Sequence, residues 1–492
     1  MILIAFAIAA AICLALIALG KTHRQMNAVC IAQALVFAAF ALYIAIAVPL
    51  PVNRFLIGNQ QFFIDHLGLF EVFITTSLFA LAAVYAGGYV ESLIEAGELE
   101  RGSLRLFYTA FSLLLTVIVF AFFSDNLALF WILAEITTVI SAMLIAILSA
   151  RENIDAAIKY IFVTSVAMLF TFLGLIFLFE MSRSTAGEGS LNWTVLMQQA
   201  PGLPAGAMVA VFALVFLGFS AKSGIFPFHT WLPEAHAKAP SAVSAILSGV
   251  LLNVGIYGIL RVFAVVHQTA AVGMAVLFIA AFGIATIGIS AFSMLRQENL
   301  KKLIAFSSIE NMGILLIGIS VATPVAIFFV LLHTLAHSLT KASLFFSAGI
   351  LHRQYKDPLS HSGNDDIRDV FRYQPLAAWG LILGGLAIIG VPLSPVFVSK
   401  IGILLGLGNV SVIELALVLV LLFVAAVALG YFIIRTFSRE STETEGTLRE
   451  YRTPLVMKIP IVVLLVVILI LGVAFPDAIA GFLNEIVTEL KF

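Results

Sequence analysis

Three lysines, Lys222, Lys341 and Lys400, lie inside apolar runs where a bilayer-spanning helix would bury them. A charged side chain at mid-bilayer costs ~2.5–3.5 kcal/mol on insertion scales and normally faces a bundle interior, paired and used. The bland alternative is snorkelling to the headgroups, which Lys222 and Lys400 leave open by sitting near the ends of their runs. Two carboxylates are embedded in the same way: Glu135 in "NLALFWILAEITTVISAMLIAIL" and Glu310 in "LKKLIAFSSIENMGILLIGI". Glu135 has no base at i±3 or i±4, so its partner must come from another helix. Glu310 has Ser307, Ser308 and Asn311 beside it, so a carboxylate satisfied by its own polar turn competes evenly with a functional one. Glu71 lies within two turns of a polar end and reads as interfacial.

In "LLHTLAHSLTKASLFFSAGIL", His333, His337 and Lys341 are spaced by four and stack on one helical face. Two histidines at i and i+4 could ligate zinc, but no third ligand stands nearby and Lys341 would repel the cation. Histidine titrates near neutrality and buried lysine is readily shifted, so a proton relay suits these residue types better. Structural hydrogen bonding between helices is the competing reading.

These groups need helices to carry them across a membrane, and composition supplies those helices. Of the 492 residues, 62% are hydrophobic and 11% charged, against about 25% charged in soluble domains. Apolar runs and polar breaks predict about fourteen helices, beginning near residues 1, 26, 67, 104, 126, 156, 205, 240, 270, 299, 324, 374, 411 and 455. The first run lacks the basic flank and cleavage site of a signal peptide and is expected to be a retained span. Nineteen of the 26 basic residues fall on odd-numbered connections and four on the opposite side, which predicts both termini outside the cytoplasm. Cys13 and Cys30, both within spans, offer no iron–sulfur, zinc or disulfide framework. No nucleotide-binding glycine loop is present, and nothing in the charge pattern suits nucleic acid.

Two of the predicted spans are interrupted. In "FSAKSGIFPFHTWLPEAH", Gly224 and Pro227 follow Lys222 and precede His229; in "GGLAIIGVPLSPVFVSKIGILLGLG", Gly390, Pro392 and Pro395 precede Lys400. Proline cannot donate to the helical ladder, and irregular backbone at membrane depth survives only where protein or a hydrated cavity covers it. Matching breaks in two halves point to an inverted repeat with ion sites at the breaks. The division that follows is an N-terminal three-helix segment (1–103), two five-helix units (104–268 and 269–437), and a cytoplasmic loop with the last span (438–492). Glu135 and Glu310 then fall in the second span of each unit, and Lys222 and Lys400 in the fourth.

The stretch "AKSGIFPFHTWLPEAHAKAPSAVSAILSGVLLNVGIYGILR" resembles the signature of the antiporter-like, proton-conducting membrane subunits shared by respiratory complex I, Mrp antiporters and energy-converting hydrogenases. The resemblance extends through "FWILAEITTVISAML", "LKKLIAFSSIENMGI", "HTLAHSLTKASLFF" and "GVPLSPVFVSKIGIL". It implies an all-α polytopic fold of fourteen transmembrane helices, two inverted five-helix units and discontinuous seventh and twelfth helices. It also implies that Glu135 and Lys222 pair, that Lys341 is the central lysine and that Lys400 is the terminal one. Many relatives carry a titratable residue in the eighth span where this chain has Asn253. That asparagine and "SSIENMGI" look most similar to the F-type members of the hydrogenase-4 group, found in formate hydrogenlyase-like complexes.

The resulting expectation is a subunit that moves protons, with sodium as the alternative, through Glu135, Lys222, His229, Asn253, Glu310, His333, His337, Lys341 and Lys400. It holds no cofactor or metal and performs no redox chemistry of its own. Its expected partners are further antiporter-like membrane subunits and a peripheral hydrogenase-like redox module, in a prokaryotic cytoplasmic membrane. An Mrp-type sodium/proton antiporter subunit and a complex I subunit are the alternatives; a structural subunit is disfavoured by the buried charges.

Overall fold

A computed structural model describes residues 2–52, 61–148, 150–355, 367–438 and 451–492, and the described residues are almost entirely helical. Arg54, Lys356, Arg439 and Arg449 of the charge count lie outside them. The N-terminal segment is α1 (Ile2–Leu19), α2 (His23–Ala47) and α3 (His66–Glu95). The first unit comprises α4 (Leu104–Phe122), α5 (Leu127–Ile145), α6 (Arg151–Ala186), the short α7 (Trp193–Gln199), α8 (Ala205–Lys222), α9 (Trp231–Lys238), α10 (Ser241–Ile246) and α11 (Leu252–His267). A π-helical turn, Leu247–Leu251, fuses α10 and α11 into one span. The second unit comprises α12 (Val272–Met294), α13 (Leu300–Val321), α14 (Pro324–Tyr355), the single turn α15 (Val370–Tyr373), α16 (Pro375–Ile389), α17 (Pro395–Val410) and α18 (Val412–Phe437). Then come α19 (Leu455–Val473) and α20 (Asp477–Leu490).

Among the described residues, thirteen helices are long and apolar enough to cross a membrane. The apolar α16 and α17, of 15 and 16 residues, together make one further crossing, the twelfth along the chain, interrupted as the sequence predicts, and bring the total among the described residues to fourteen. Five is an odd number, so a second five-crossing unit starts from the opposite face and is inverted relative to the first. Asparagine side chains start the second helix of each unit: Asn126 accepts from Ala128 and Leu129 at α5, and Asn299 accepts from Lys302 at α13. At the two breaks Gly224 and Gly390 adopt φ of +66° and +93°, a region that disfavours any residue with a Cβ. Trp231 spans the first break by donating Nε1–H to the Ala221 carbonyl at 2.9 Å.

One membrane face gathers the start of α1, where Phe6 meets Phe123, with Trp193 bonded to the Arg261 carbonyl and His66 bonded to Glu489. The opposite face gathers Arg24–Glu91, Arg353–Glu98 and the Asn153 bond to the Lys238 carbonyl. The expected division ends on the last span, but the chain continues into α20, which folds back on the first face. Leu483, Ile486, Val487 and Leu490 pack inward there, and Phe492 stacks on Phe263. Glu489 caps α3 through the His66 backbone N–H at 3.0 Å and meets the His66 ring at 2.7 Å. Burial and the nearby Asp65 carboxylate push the Glu489 carboxyl up, against the opposing pull of His66.

Candidate functional site

All three membrane-embedded lysines are buried, and none snorkels: 1% of Lys222, 0% of Lys341 and 6% of Lys400 is exposed. Each is fixed by groups on the second helix of a unit. Lys222 Nζ donates to the Ala134 carbonyl at 2.6 Å and to Thr138 Oγ1 at 2.8 Å, both on α5. Lys341 Nζ donates to the Ile304 carbonyl at 2.7 Å and to Ser307 Oγ, both on α13. Lys400 Nζ pairs with Glu310 of α13 at 3.1 Å and donates to the Ile388 and Ile389 carbonyls at 2.9 and 3.3 Å. Those carbonyls are the open end of α16, so the lysine also meets the negative end of a helix dipole.

The two carboxylates behave differently. Glu310 is buried and ion-paired across helices, which decides against satisfaction by its own turn alone; Asn311 donates to its other oxygen. No direct Glu135–Lys222 ion pair is formed, although the carboxylate remains a charge neighbour of the lysine. Glu135 is half-buried on α5 between exposed Ile132, Ile136 and Val139, accepts from Ser165 of α6 at 2.8 Å, and leaves Oε1 without a partner. Lys222 instead takes the backbone and hydroxyl positions flanking Glu135, because a carbonyl and a threonine one turn apart present two acceptors on the inner face of α5.

The histidine stripe divides in two. His333 bridges helices, with Nε2 at 3.0 Å from Asn311 Oδ1 and Nδ1 at 2.8 Å from Ser399 Oγ, so a continuous polar chain runs Lys400–Glu310–Asn311–His333–Ser399. His337 is fully buried with both ring nitrogens unpartnered. His236 of α9 is in the same condition, stacked on Phe345 at 4.6 Å. A buried polar atom without a partner costs free energy, which makes these two rings acceptors and donors in waiting between the units. Ser248 and Ser308, 2.8 Å apart, also join the two units here. His229 lies half-buried on the turn between α8 and α9, facing Phe226 rather than Lys222.

Asn253 Nδ2 faces Glu71 Oε2 at 3.2 Å, the Gly249 carbonyl at 3.3 Å and Ser338 Oγ at 3.1 Å. Glu71 is therefore not interfacial: it is 4% exposed within the bundle. One and a half turns before it, Asp65 forms two 2.7 Å contacts with Arg261, whose guanidinium also reaches Tyr257 at 2.7 Å and lies 4.4 Å over the Trp193 ring. Sequence reasoning missed these groups because Asp65 and Glu71 read as the polar end of α3, and His236 carried no partner along its own helix.

Residues 124–426 match the family described as NADH:quinone oxidoreductase/Mrp antiporter, TM, and the chain belongs to that family of membrane-embedded, antiporter-like subunits. It is 32% identical over 341 residues to a hydrogenase-4 component F homolog of Methylacidiphilum infernorum, covering 69% of this chain and 71% of that one. It is 30% identical to chain 4 of an NAD(P)H-quinone oxidoreductase of Picosynechococcus and to hydrogenase-4 component B of Escherichia coli, over 66% and 68% of this chain but 57% and 49% of those proteins. The fold matches a chain of an archaeal membrane-bound sulfane sulfur reductase with a TM-score of 0.85 at 20% identity, covering 99% of this chain and 96% of that one. It also matches chains of the Mrp complex of Dietzia (0.82, 18% identity, 99% and 97% covered) and of Thermus thermophilus complex I (0.78, 19% identity, 100% and 99% covered).

Proposed function

We propose that this chain translocates protons across a prokaryotic cytoplasmic membrane as one subunit of a redox-driven complex of the hydrogenase-4 or formate hydrogenlyase-like type. The observation that carries the reading is the set of three buried lysines, each held by acceptors on a second helix, with Glu310 and His333 linking the last of them to α14. Charge arriving at one lysine repels charge on the next in a poorly screened interior, and the Glu310–Lys400 pair is the element that such repulsion would open. Hydrophobic packing alone needs none of these groups. The redox steps belong to partner subunits; this chain supplies the electrostatic half of the coupling. The 32% identity to a hydrogenase-4 component F homolog favours this parent complex. The equally complete fold match to an Mrp chain supports a sodium/proton antiporter subunit as the second reading. We place both termini outside the cytoplasm on the charge bias of the connections.

The test uses the intact complex in sealed vesicles. Lys341→Met should abolish formation of the pH gradient while the peripheral module still reduces an artificial acceptor. Unchanged proton translocation in that variant would overturn the reading. Parallel measurement of sodium flux separates the two cargoes, and co-purification of a hydrogenase-like large subunit, rather than small Mrp-type membrane subunits, separates the two parents.

A further inference from the structure

Glu71 lies off the lysine line, and none of the described bases comes within ion-pair distance of its carboxylate. Around it the bundle collects acceptors. The Asn253 amide nitrogen has two hydrogens but faces three oxygens, at 3.1, 3.2 and 3.3 Å, all longer than the common 2.9–3.0 Å. Ser338 already donates its hydrogen to the Thr334 carbonyl at 2.8 Å, so it presents only lone pairs. The Gly249 carbonyl comes from the π-helical turn, a rare geometry that recurs at functional sites. Thr75, one helical turn after Glu71 on the same face of α3, is fully buried with Oγ1 unpartnered, and Asn253 Oδ1 is unpartnered as well. Amide orientation is set by the surrounding network, so a half-turn of Asn253 would bring its oxygen among the others.

A cluster with one negative charge, lone pairs on every other member and no base is matched to a cation. We propose that Glu71, Thr75, the Gly249 carbonyl, Asn253 and Ser338 form a buried site for one monovalent cation. A proton on Glu71 and a sodium ion among the oxygens meet the same chemistry. Hard cations take oxygen ligands, and a single carboxylate is too little charge for a buried divalent ion. The charged and titratable neighbours are otherwise engaged: Asp65 with Arg261, Tyr257 with Arg261 and the Phe122 carbonyl, Lys341 with Ile304 and Ser307, and Glu489 with His66. His337 on α14 is the exception, buried and unbonded. The charged side chains of α2, α4 and α19 belong to the opposite membrane face. Asn253, Tyr257 and Arg261 recur every four residues on α11 and run from this site to the Asp65 pair, so the site communicates with the face where α20 docks.

The proposal deepens the ion-translocation reading, and its test separates the two. In the intact complex in nanodiscs, thermal stability is measured against NaCl at constant ionic strength in choline chloride, alongside infrared difference spectra of the protonated carboxyl stretch. A sodium site predicts saturable stabilisation by Na⁺ that Glu71→Gln abolishes and Thr75→Val weakens by about tenfold in half-saturating concentration. A proton site predicts a protonated carboxyl band near neutral pH that Glu71→Gln removes and Thr75→Val retains. Either result supports the site. If Glu71→Gln changes neither readout, or if the Glu71→Gln complex fails to assemble and Asn253→Ala, which removes the partner of Glu71, neither weakens the sodium response nor shifts the carboxyl band, the proposal is overturned. Lys341→Met should leave both signals intact while it stops proton pumping, so losing the pumping hypothesis would not touch this one.

Discussion

The Glu310–Lys400 pair gives the sharpest quantitative expectation. At 3.1 Å and an effective dielectric constant of about 20, the Coulomb attraction is about 5 kcal/mol. Glu310→Gln keeps the size of the side chain and a neutral amide acceptor but leaves the ammonium a buried charge without its counterion. Breaking a buried pair from one side costs about 3–5 kcal/mol, whereas removing both charges is far cheaper. Glu310→Gln should therefore lower the unfolding free energy by about 3 kcal/mol, and Lys400→Met in the same chain should restore at least about 2 kcal/mol of that loss. The assay is SDS titration of the purified subunit in mixed micelles, with the four chains of the double-mutant cycle measured together. Coupling below about 0.5 kcal/mol would mean the two groups do not interact, and the ion pair would be no part of the site.

Two further outcomes follow from the same contacts. His333→Leu orphans Asn311 Oδ1, takes one of the two partners of Ser399 Oγ and should cost about 1–3 kcal/mol, while His337→Leu, which breaks no hydrogen bond of the ring, should stay within about 1 kcal/mol yet slow proton movement; equal stability losses would contradict this division of the stripe. Glu135→Gln should leave the Lys222 contacts standing, whereas Thr138→Val should remove one of them at a cost of about 1–2 kcal/mol, and a stability loss in Glu135→Gln larger than in Thr138→Val would show that the carboxylate does pair with Lys222.

Hydrophobic run length set the number of crossings, and Gly224, Pro227, Gly390 and Pro392 marked both breaks, because these signals are local to the chain. Partnership is not local. Glu310 looked self-satisfied because serines and an asparagine stand beside it, yet its counterion comes from 90 positions away, where α17 re-enters beside α13. Glu135 looked like the partner of Lys222 because it had no base on its own helix, but the face it occupies on α5 turns it toward α6. Glu71 was placed at the interface by its distance along α3 from a polar end, which says nothing about the helices α11 and α14 that enclose it. The helix α20 escaped because an amphipathic stretch carrying Asp477, Glu485 and Glu489 does not resemble a span, and its docking surface is made by other segments.

Lys400 has a mechanical role beside its chemical one. Its nitrogen is a rivet through three pieces: the end of α16, the start of α17 that bears it, and Glu310 on α13. Its three hydrogens match those three acceptors, two of which are the last carbonyls at the negative end of the α16 dipole. Removing that nitrogen therefore loosens the joint at Gly390–Ser394, and the load falls on a stretch whose backbone has already left the helical ladder. Hydrogen exchange at the Val391 amide, which donates to the Leu386 carbonyl, should be faster in Lys400→Met than in the parent chain, and would read directly how far one side chain sets the stiffness of the twelfth crossing.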